Sequence, residues 1–210
     1  MKKTKELWFI LILIFVLIVS FGFTGCAASD TTEKGTDGSA GSSGESGYLP
    51  GILSEFETTT LTGEAVDSSL LEGYDLTMVN VWATFCGPCI NEMPDIAKIA
   101  EEYRDQGVQI LGIVSDVMAR DGSMDPDQVA LAEDIVKETG AGTYTHLMGN
   151  GSLSGLLSQI YAVPTTFFVD GEGNQVGKAY VQMLTEDQFR TIIDETLGLV
   201  NGSAGEVEVQ

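Results

Sequence analysis

The sequence predicts an α/β domain in which helices flank a central mixed β-sheet and a β-hairpin precedes that sheet. Three observations support this prediction. Short apolar runs alternate with helical patterns between residues 76 and 161, as in a largely parallel sheet. Two strand-like runs near the C-terminal end are separated by a Gly-rich turn, which adds antiparallel strands. A pair of β-branched runs stands before the alternating part.

The first 25 residues have the features of an export signal. Three lysines form a basic start, and an apolar run follows at residues 7–23. Such a run is typical of a secretory signal or a membrane anchor. It ends in Phe23-Thr24-Gly25-Cys26, which resembles the lipobox of bacterial lipoprotein precursors, in which the cysteine is acylated. This predicts a lipoprotein signal peptide at residues 1–25 and lipidation of Cys26. The alternative is an uncleaved anchor with an incidental cysteine, and both place the domain outside the cytoplasm.

Composition divides the rest of the chain into three parts. After the lipidated cysteine, residues 26–47 carry no large apolar side chain, so we expect a flexible linker. Residues 48–200 have the size of one domain, and residues 201–210 predict a polar, frayed tail. The formal net charge of −21 excludes a nucleic-acid partner, because phosphate binding depends on Lys and Arg.

The first half of the domain contains five predicted elements. Residues 56–66 predict a hairpin that turns at Gly63, and a short capped helix follows at residues 68–71. The apolar run at residues 76–83 predicts a buried strand. After Pro88, apolar residues recur every three or four positions up to Tyr103, which predicts a helix. A second buried strand is predicted at residues 108–114.

The second half continues the alternation. A helix is predicted at residues 126–139 with Asp125 as its cap, followed by a weak strand at residues 144–148 and a short helix at residues 152–161. Two strands, at residues 165–169 and 175–181, flank a turn rich in glycine. Thr185 caps a final helix that is predicted to end at Leu199.

The cysteine count narrows the chemistry. The chain has three cysteines, and with Cys26 assigned to lipid only Cys86 and Cys89 remain. The C-x-x-C spacing at the start of a helix suits thiol–disulfide exchange, because the helix N-terminus stabilises a thiolate at Cys86 and Cys89 lies one turn inside. A zinc site is one alternative, but zinc needs two further ligands and only His146 remains. A structural disulfide is another, although so short a loop constrains the unfolded chain little. We expect no metal and no cofactor.

Two motifs resemble those of a known family. The segment Val79-Asn80-Val81-Trp82-Ala83-Thr84-Phe85-Cys86-Gly87-Pro88-Cys89-Ile90-Asn91-Glu92-Met93-Pro94 is similar to the active-site segment of the TlpA/ResA-like disulfide reductases, which have a thioredoxin-like fold. Val163-Pro164-Thr165-Thr166-Phe167-Phe168-Val169-Asp170 is similar to that family's second signature. The resemblance covers roughly residues 56–199 and implies a thioredoxin-like fold.

The resemblance implies roles for single residues. Cys86 would attack a disulfide and Cys89 would resolve the mixed disulfide. Pro164 would be a cis proline beside the sulfurs, and Val163 would offer its backbone to a substrate strand; the alternative is an ordinary trans proline that opens a strand. Trp82 would contribute to substrate binding, and Phe85 would also flank the site. Packing in the core or at the rim is the alternative for both aromatic residues.

One residue is a candidate for proton transfer. Thioredoxins carry a buried aspartate in the strand before the motif, whereas Asn80 stands here and cannot titrate. Glu92 lies three residues after Cys89 on the same helix face, where members of the resembling group often have an acid. We therefore expect Glu92 to take the proton of Cys89. A solvated helix carboxylate is the alternative.

The resemblance implies a membrane-anchored reductase on the extracytoplasmic side. Its clients would be apocytochrome c, a methionine sulfoxide reductase or another oxidised exported protein, and a membrane thiol donor of CcdA/DsbD type would recharge it. We expect a monomer. A thiol peroxidase and a copper chaperone on the same fold are the alternatives. Thiol peroxidases use a cysteine in a Thr-x-x-Cys setting, from which Phe85-Cys86-Gly87-Pro88-Cys89 departs. Copper chaperones on this fold need a wider cysteine spacing and a distal histidine.

Overall fold

The computed structural model of the protein describes residues 51–204. The predicted signal peptide, Cys26, the linker up to residue 47 and the last six residues of the predicted tail lie outside the described residues. None of the helices in the described part is long and apolar enough to span a membrane.

The predicted N-terminal hairpin is confirmed. Strands β1 (Glu57–Thr59) and β2 (Ala65–Asp67) pair antiparallel, with Thr58 opposite Val66. A 3₁₀ helix follows at Ser68–Leu71, and the carboxylate of Asp67 accepts a hydrogen bond of 2.9 Å from the Ser69 N–H. The side chain of Asp67 therefore satisfies one of the backbone donors that a helix start leaves free.

The central sheet has five strands of mixed direction, as predicted. They are β3 (Leu76–Trp82), β4 (Val108–Val114), β5 (Thr145–Met148), β6 (Thr165–Val169) and β7 (Gln175–Tyr180). Their order across the sheet is β5-β4-β3-β6-β7. The first three are parallel to one another, whereas β6 is antiparallel to β3 and to β7. Strand β3 is central and completely buried.

Four α-helices accompany the sheet within residues 51–204. They are α1 (Gly87–Tyr103), α2 (Pro126–Thr139), α3 (Ser154–Leu157) and α4 (Glu186–Ala204). Short 3₁₀ helices lie at Arg104–Gln106, Ala141–Thr143 and Gly151–Leu153. The predicted caps form: Asp125 accepts bonds from the N–H groups of Asp127 and Gln128, and Thr185 forms a reciprocal capping box with Gln188.

Two helix ends differ from the prediction. The helix predicted at residues 152–161 is α-helical only from Ser154 to Leu157, because the next N–H groups, of Gln159 and Ile160, bond to the third residue back. Glycine and serine in this segment lower its helix propensity. The final helix continues past Leu199 to Ala204, since no proline follows and the single Gly202 lowers its stability without ending it.

Each face of the sheet carries its own core. Met78 and Trp82 of β3 pack with Met93, Ile96 and Phe189, under the helices α1, α2 and α4. Val79 and Val81 point the other way and pack with a second cluster that includes Leu53, Phe56 and Leu156. The alternation along β3 thus places its even-numbered residues beneath α1, the helix that begins with the cysteine pair.

Candidate redox site

The two cysteines of the C-x-x-C motif form a disulfide at the start of helix α1. Their sulfurs are 2.04 Å apart and their Cα atoms 5.3 Å apart. Cys86 is the N-cap residue, and its sulfur accepts a hydrogen bond of 3.2 Å from the Cys89 N–H. Pro88 occupies the first turn, where its missing N–H is not needed. Both cysteines are buried; Cys86 keeps 5% of its surface exposed and Cys89 none.

The loop after β4 holds the turn that leads into the motif. The carboxylate of Asp116 accepts hydrogen bonds from both the N–H and the hydroxyl of Thr84, the latter at 2.6 Å. Next to it, the Ser115 N–H donates to the carbonyl of Trp82 at 2.9 Å. These bonds tie the carboxyl end of β3 to the carboxyl end of β4, and they fix the backbone just before Cys86.

The second motif brings a cis proline to the same end of the sheet. The peptide bond between Val163 and Pro164 is cis, as the resemblance implied. Thr165, the next residue, opens β6 and pairs with Val81 of β3. Because β3 runs directly into the cysteine turn, this pairing brings Val163 and Pro164 near the end of the strand that carries the sulfurs.

A groove adjoins the two motifs. It has a volume of ≈ 430 Å³, and its lining includes Phe85 from the first motif and Val163 from the second. The exposed fraction of Phe85 is 78% and that of Tyr161 is 84%, unusually high for large aromatic side chains. Ile160 and Leu157 complete the apolar wall, and Ser115 supplies a hydroxyl. An exposed apolar groove of this kind is typical of a surface that binds another molecule.

The predicted proton-transfer residue is buried. Glu92 is 1% exposed, one helical turn after Cys89. Its Oε1 accepts a hydrogen bond of 2.8 Å from Nδ2 of Asn80, and its Oε2 accepts one of 3.0 Å from the Leu184 N–H. Burial raises the pKa of Glu92 to about 7, and the two hydrogen bonds oppose that rise. The alternative of a solvated carboxylate does not fit this position.

Trp82 lies in the core rather than at the surface. Its side chain is completely buried and its ring is edge-on to His146, with ring centroids 5.7 Å apart. The structure therefore favours the packing alternative for Trp82 over contact with a substrate. Phe85, by contrast, is at the rim. His146 is also buried, and its ring lies 4.4 Å from that of Tyr144.

Several contacts of the site have no signal in the sequence. The Leu184 N–H that bonds to Glu92 is 92 residues away along the chain. Asp116, which holds the cysteine turn, lies in an irregular loop that no motif marks. The position of Glu92 beside the motif, in contrast, follows from its helical spacing of three residues from Cys89 and from the family resemblance. Within residues 51–204, no three His, Cys, Asp or Glu side chains are grouped so that they could hold a metal ion.

Comparison with known proteins matches the chain to one family and to thiol-disulfide oxidoreductases. A model of the AhpC/TSA family matches residues 52–176, more than half of the chain. The thiol-disulfide oxidoreductase ResA of Halalkalibacterium halodurans is 32% identical over 113 residues, which are 54% of this chain and 57% of ResA. The chain thus spans less than two thirds of the length of that relative.

Solved structures agree on the fold. A thiol:disulfide interchange protein of the thioredoxin family from Chlorobium tepidum is 24% identical, with a TM-score of 0.57 over 75% of this chain and 100% of its own. The exposed lipoprotein thioredoxin Etrx1 of Streptococcus pneumoniae is 25% identical, with a TM-score of 0.53 over 67% of this chain and 98% of its own. The thioredoxin-like fold predicted from the two motifs is confirmed.

Proposed function

Because the chain belongs to the AhpC/TSA family, with a ResA thiol-disulfide oxidoreductase among its relatives, we propose that it is a thiol–disulfide oxidoreductase. It reduces disulfides of exported proteins through Cys86 and Cys89. One observation carries the proposal: a cysteine pair forms a disulfide at a helix N-terminus, with Cys86 keeping 5% of its surface exposed and Cys89 none. That arrangement provides an attacking thiol and a resolving thiol.

The reaction proceeds in two exchanges. In the reduced protein, the helix N-terminus stabilises a thiolate at Cys86, which attacks one sulfur of a client disulfide. A bond forms between Cys86 and the client, the client disulfide breaks, and the released client sulfur takes a proton from water. The Cys89 thiolate then attacks the sulfur of Cys86. This closes the intramolecular disulfide, breaks the mixed disulfide and frees the second client sulfur as a thiolate, which takes a proton from water.

Glu92 takes the proton of Cys89 before the second exchange. Cys89 is completely buried, so its proton needs an acceptor inside the protein. The pKa of about 7 suits Glu92 to this task, because a general base works best when its pKa is near the working pH. Asn80, which holds the Glu92 carboxylate at 2.8 Å, orients it without competing for the proton.

The client binds in the groove beside the cis proline. Val163 offers its backbone to an extended client segment, and Pro164 leaves room for the sulfurs. Phe85 and Tyr161, both strongly exposed, contact apolar side chains next to the client cysteine. Trp82 is not among these contacts, because its side chain has no exposed surface.

The protein acts at the outer face of the membrane. Acylation of Cys26 tethers it there, and the likeness to an exposed lipoprotein thioredoxin supports this placement. A membrane thiol donor of CcdA/DsbD type restores the dithiol after each turnover. Apocytochrome c, a methionine sulfoxide reductase or a similar oxidised exported protein is the client, and the protein works as a monomer.

A trapping experiment tests the proposal. The full chain in detergent is reduced and mixed with insulin as a disulfide-containing probe. We expect Cys89→Ser to accumulate a mixed disulfide between Cys86 and insulin, and Cys86→Ser to form none. A wild-type protein that leaves insulin oxidised, or a Cys89→Ser protein that traps nothing, would remove the proposal.

A further inference from the structure

Four buried polar atoms lie on the side of the sheet that α1 covers, and none has a hydrogen-bond partner among the residues that the structure describes. They are Asn80 Oδ1, Trp82 Nε1, Tyr144 Oη and His146 Nδ1. The residues that carry them are at most 8% exposed. A buried polar atom without a partner destabilises the folded protein, so four in one region call for an explanation.

The hydrogen-bonding roles of these atoms follow from their neighbours. Nε2 of His146 lies 3.0 Å from the carbonyl oxygen of Ala141, which only accepts, so Nε2 carries the proton and Nδ1 is an acceptor. Nδ2 of Asn80 donates to Glu92 and to Thr166, so Oδ1 is an acceptor. The indole N–H of Trp82 donates, and the Tyr144 hydroxyl has a hydrogen to donate. The set therefore consists of two acceptors and two donors.

Sheet register and ring contacts place these side chains next to one another. Asn80, Gly112 and His146 are direct neighbours across β3, β4 and β5. Gly112 has no side chain, and a Cβ there would lie 2.4 Å from His146 Nδ1. His146 thus leans over the glycine towards β3. Its ring also contacts those of Trp82 and Tyr144, at 5.7 Å and 4.4 Å between centroids.

We propose that these four atoms bind one buried water molecule between the His146 ring and Asn80. A water molecule has two hydrogens and two lone pairs, which match the two acceptors and two donors of the site. Buried waters in proteins typically have about three such partners. The water donates to Asn80 Oδ1 and to His146 Nδ1, and it accepts from Trp82 and Tyr144. All four polar atoms are then satisfied.

The water extends the hydrogen-bonded chain that ends at Glu92. By donating to Oδ1, it polarises the Asn80 amide, whose Nδ2 donates to the Glu92 carboxylate at 2.8 Å. This favours the ionised form of Glu92. Tyr144 and His146 are thus positioning residues that act on Glu92 through the water and Asn80. That consequence for the reaction rests on the proposed function, whereas the water site itself does not.

Glu92 is surrounded by polar and titratable groups from several elements. Cys89 stands on its own helix, Thr166 of β6 bonds to the same Asn80, and the segment before α4 contributes the Leu184 N–H. Beyond Asn80, the titratable groups are Tyr144 and His146. Burial raises the pKa of Tyr144 and lowers that of His146 to about 4, so both are neutral near pH 7. In the oxidised protein the pH response of this cluster near neutrality therefore belongs to Glu92.

A high-resolution crystal structure of the oxidised full chain tests the water site directly. We expect an ordered water within about 2.7–3.2 Å of at least three of the four atoms. A dry site, or direct bonds among the four side chains, would overturn the proposal. This result does not depend on redox activity, so it can fail while the proposed function stands, and the reverse also holds.

Titration of the Glu92 carboxyl by NMR in the oxidised protein tests whether the water acts on Glu92 through Asn80. We expect Tyr144→Phe and His146→Phe each to raise the midpoint by about half a pH unit, and the double variant to raise it by less than the sum, because both act through one water. Tyr103→Phe is the matched control, since its hydroxyl bonds to Asp194 instead, and it should not move the midpoint. Unshifted midpoints, or shifts that add fully, would contradict the link.

Discussion

Nδ2 of Asn80 lies 2.8 Å from Oε1 of Glu92, and both side chains are buried between β3 and α1. The strand that delivers the cysteines thus carries a neutral amide, and the acid stands on the helix one turn beyond Cys89. Burial raises the pKa of this acid to about 7, so a small change in pH alters its charge.

Replacement of Glu92 should remove the pH dependence of client release. In the wild type, release of the mixed disulfide should accelerate as pH rises through about 7, because ionised Glu92 takes the Cys89 proton. Glu92→Gln should slow this step by about 10²-fold at pH 8, the low end for a lost general base. Single-turnover kinetics between pH 6 and 8 measure the effect. A variant with wild-type kinetics would exclude Glu92 from proton transfer.

The same residue should make stability depend on pH. The pKa of Glu92 is raised on folding from 4.5 to about 7. Its contribution to the free energy of unfolding is therefore complete below pH 4.5 and is lost as pH rises through 7. The loss amounts to roughly 3 kcal/mol, at 1.36 kcal/mol per unit of pKa. Urea unfolding of the oxidised protein at pH 5 and pH 8 measures it. The free energy of unfolding of Glu92→Gln should change less over this pH interval. An equal change in the variant and the wild type would show that Glu92 is not the cause.

Thr84 should stabilise the cysteine turn through a charged acceptor. Its hydroxyl donates to Asp116 at 2.6 Å, and a hydrogen bond to a charged group contributes about 1.5–3 kcal/mol. Thr84→Val keeps the shape and removes the bond, so it should lower the free energy of unfolding by that amount. Thr143→Val is the control, because that hydroxyl donates to a neutral carbonyl at 3.2 Å. Equal losses in both variants would refute the special role of Asp116.

The exposed aromatic residues of the groove should affect client binding without affecting the sulfur chemistry. We expect Tyr161→Ser to raise KM for a polypeptide client several-fold, since loss of its contacts on the order of 1 kcal/mol weakens binding about fivefold. The rate with a small disulfide such as oxidised glutathione should not change. Leu131→Ser, an exposed residue on α2, is the control. If Tyr161→Ser slows the reduction of the polypeptide and of glutathione equally, the groove has no role in selecting clients.

Local patterns were sufficient for most of the fold and for the cysteines. The caps at Asp125 and Thr185, the turn before β7 and the apolar period of α1 are all encoded within a few residues. Contacts between distant segments were not accessible to such patterns. The Leu184 N–H on Glu92 and the packing of His146 over Gly112 depend on sheet register and loop paths. For Trp82 the sequence left two alternatives open, and only its complete burial separates them.

The most direct test of the account is the redox equilibrium of Cys86 and Cys89 in glutathione buffers, followed by alkylation and mass spectrometry of the full chain. A Gly-Pro dipeptide between the cysteines is that of thioredoxin, so we predict a reversible two-electron transition near about −270 mV. A pair that never cycles between dithiol and disulfide would contradict the central claim. A midpoint above about −150 mV would instead indicate an oxidant and contradict the proposed direction of electron flow.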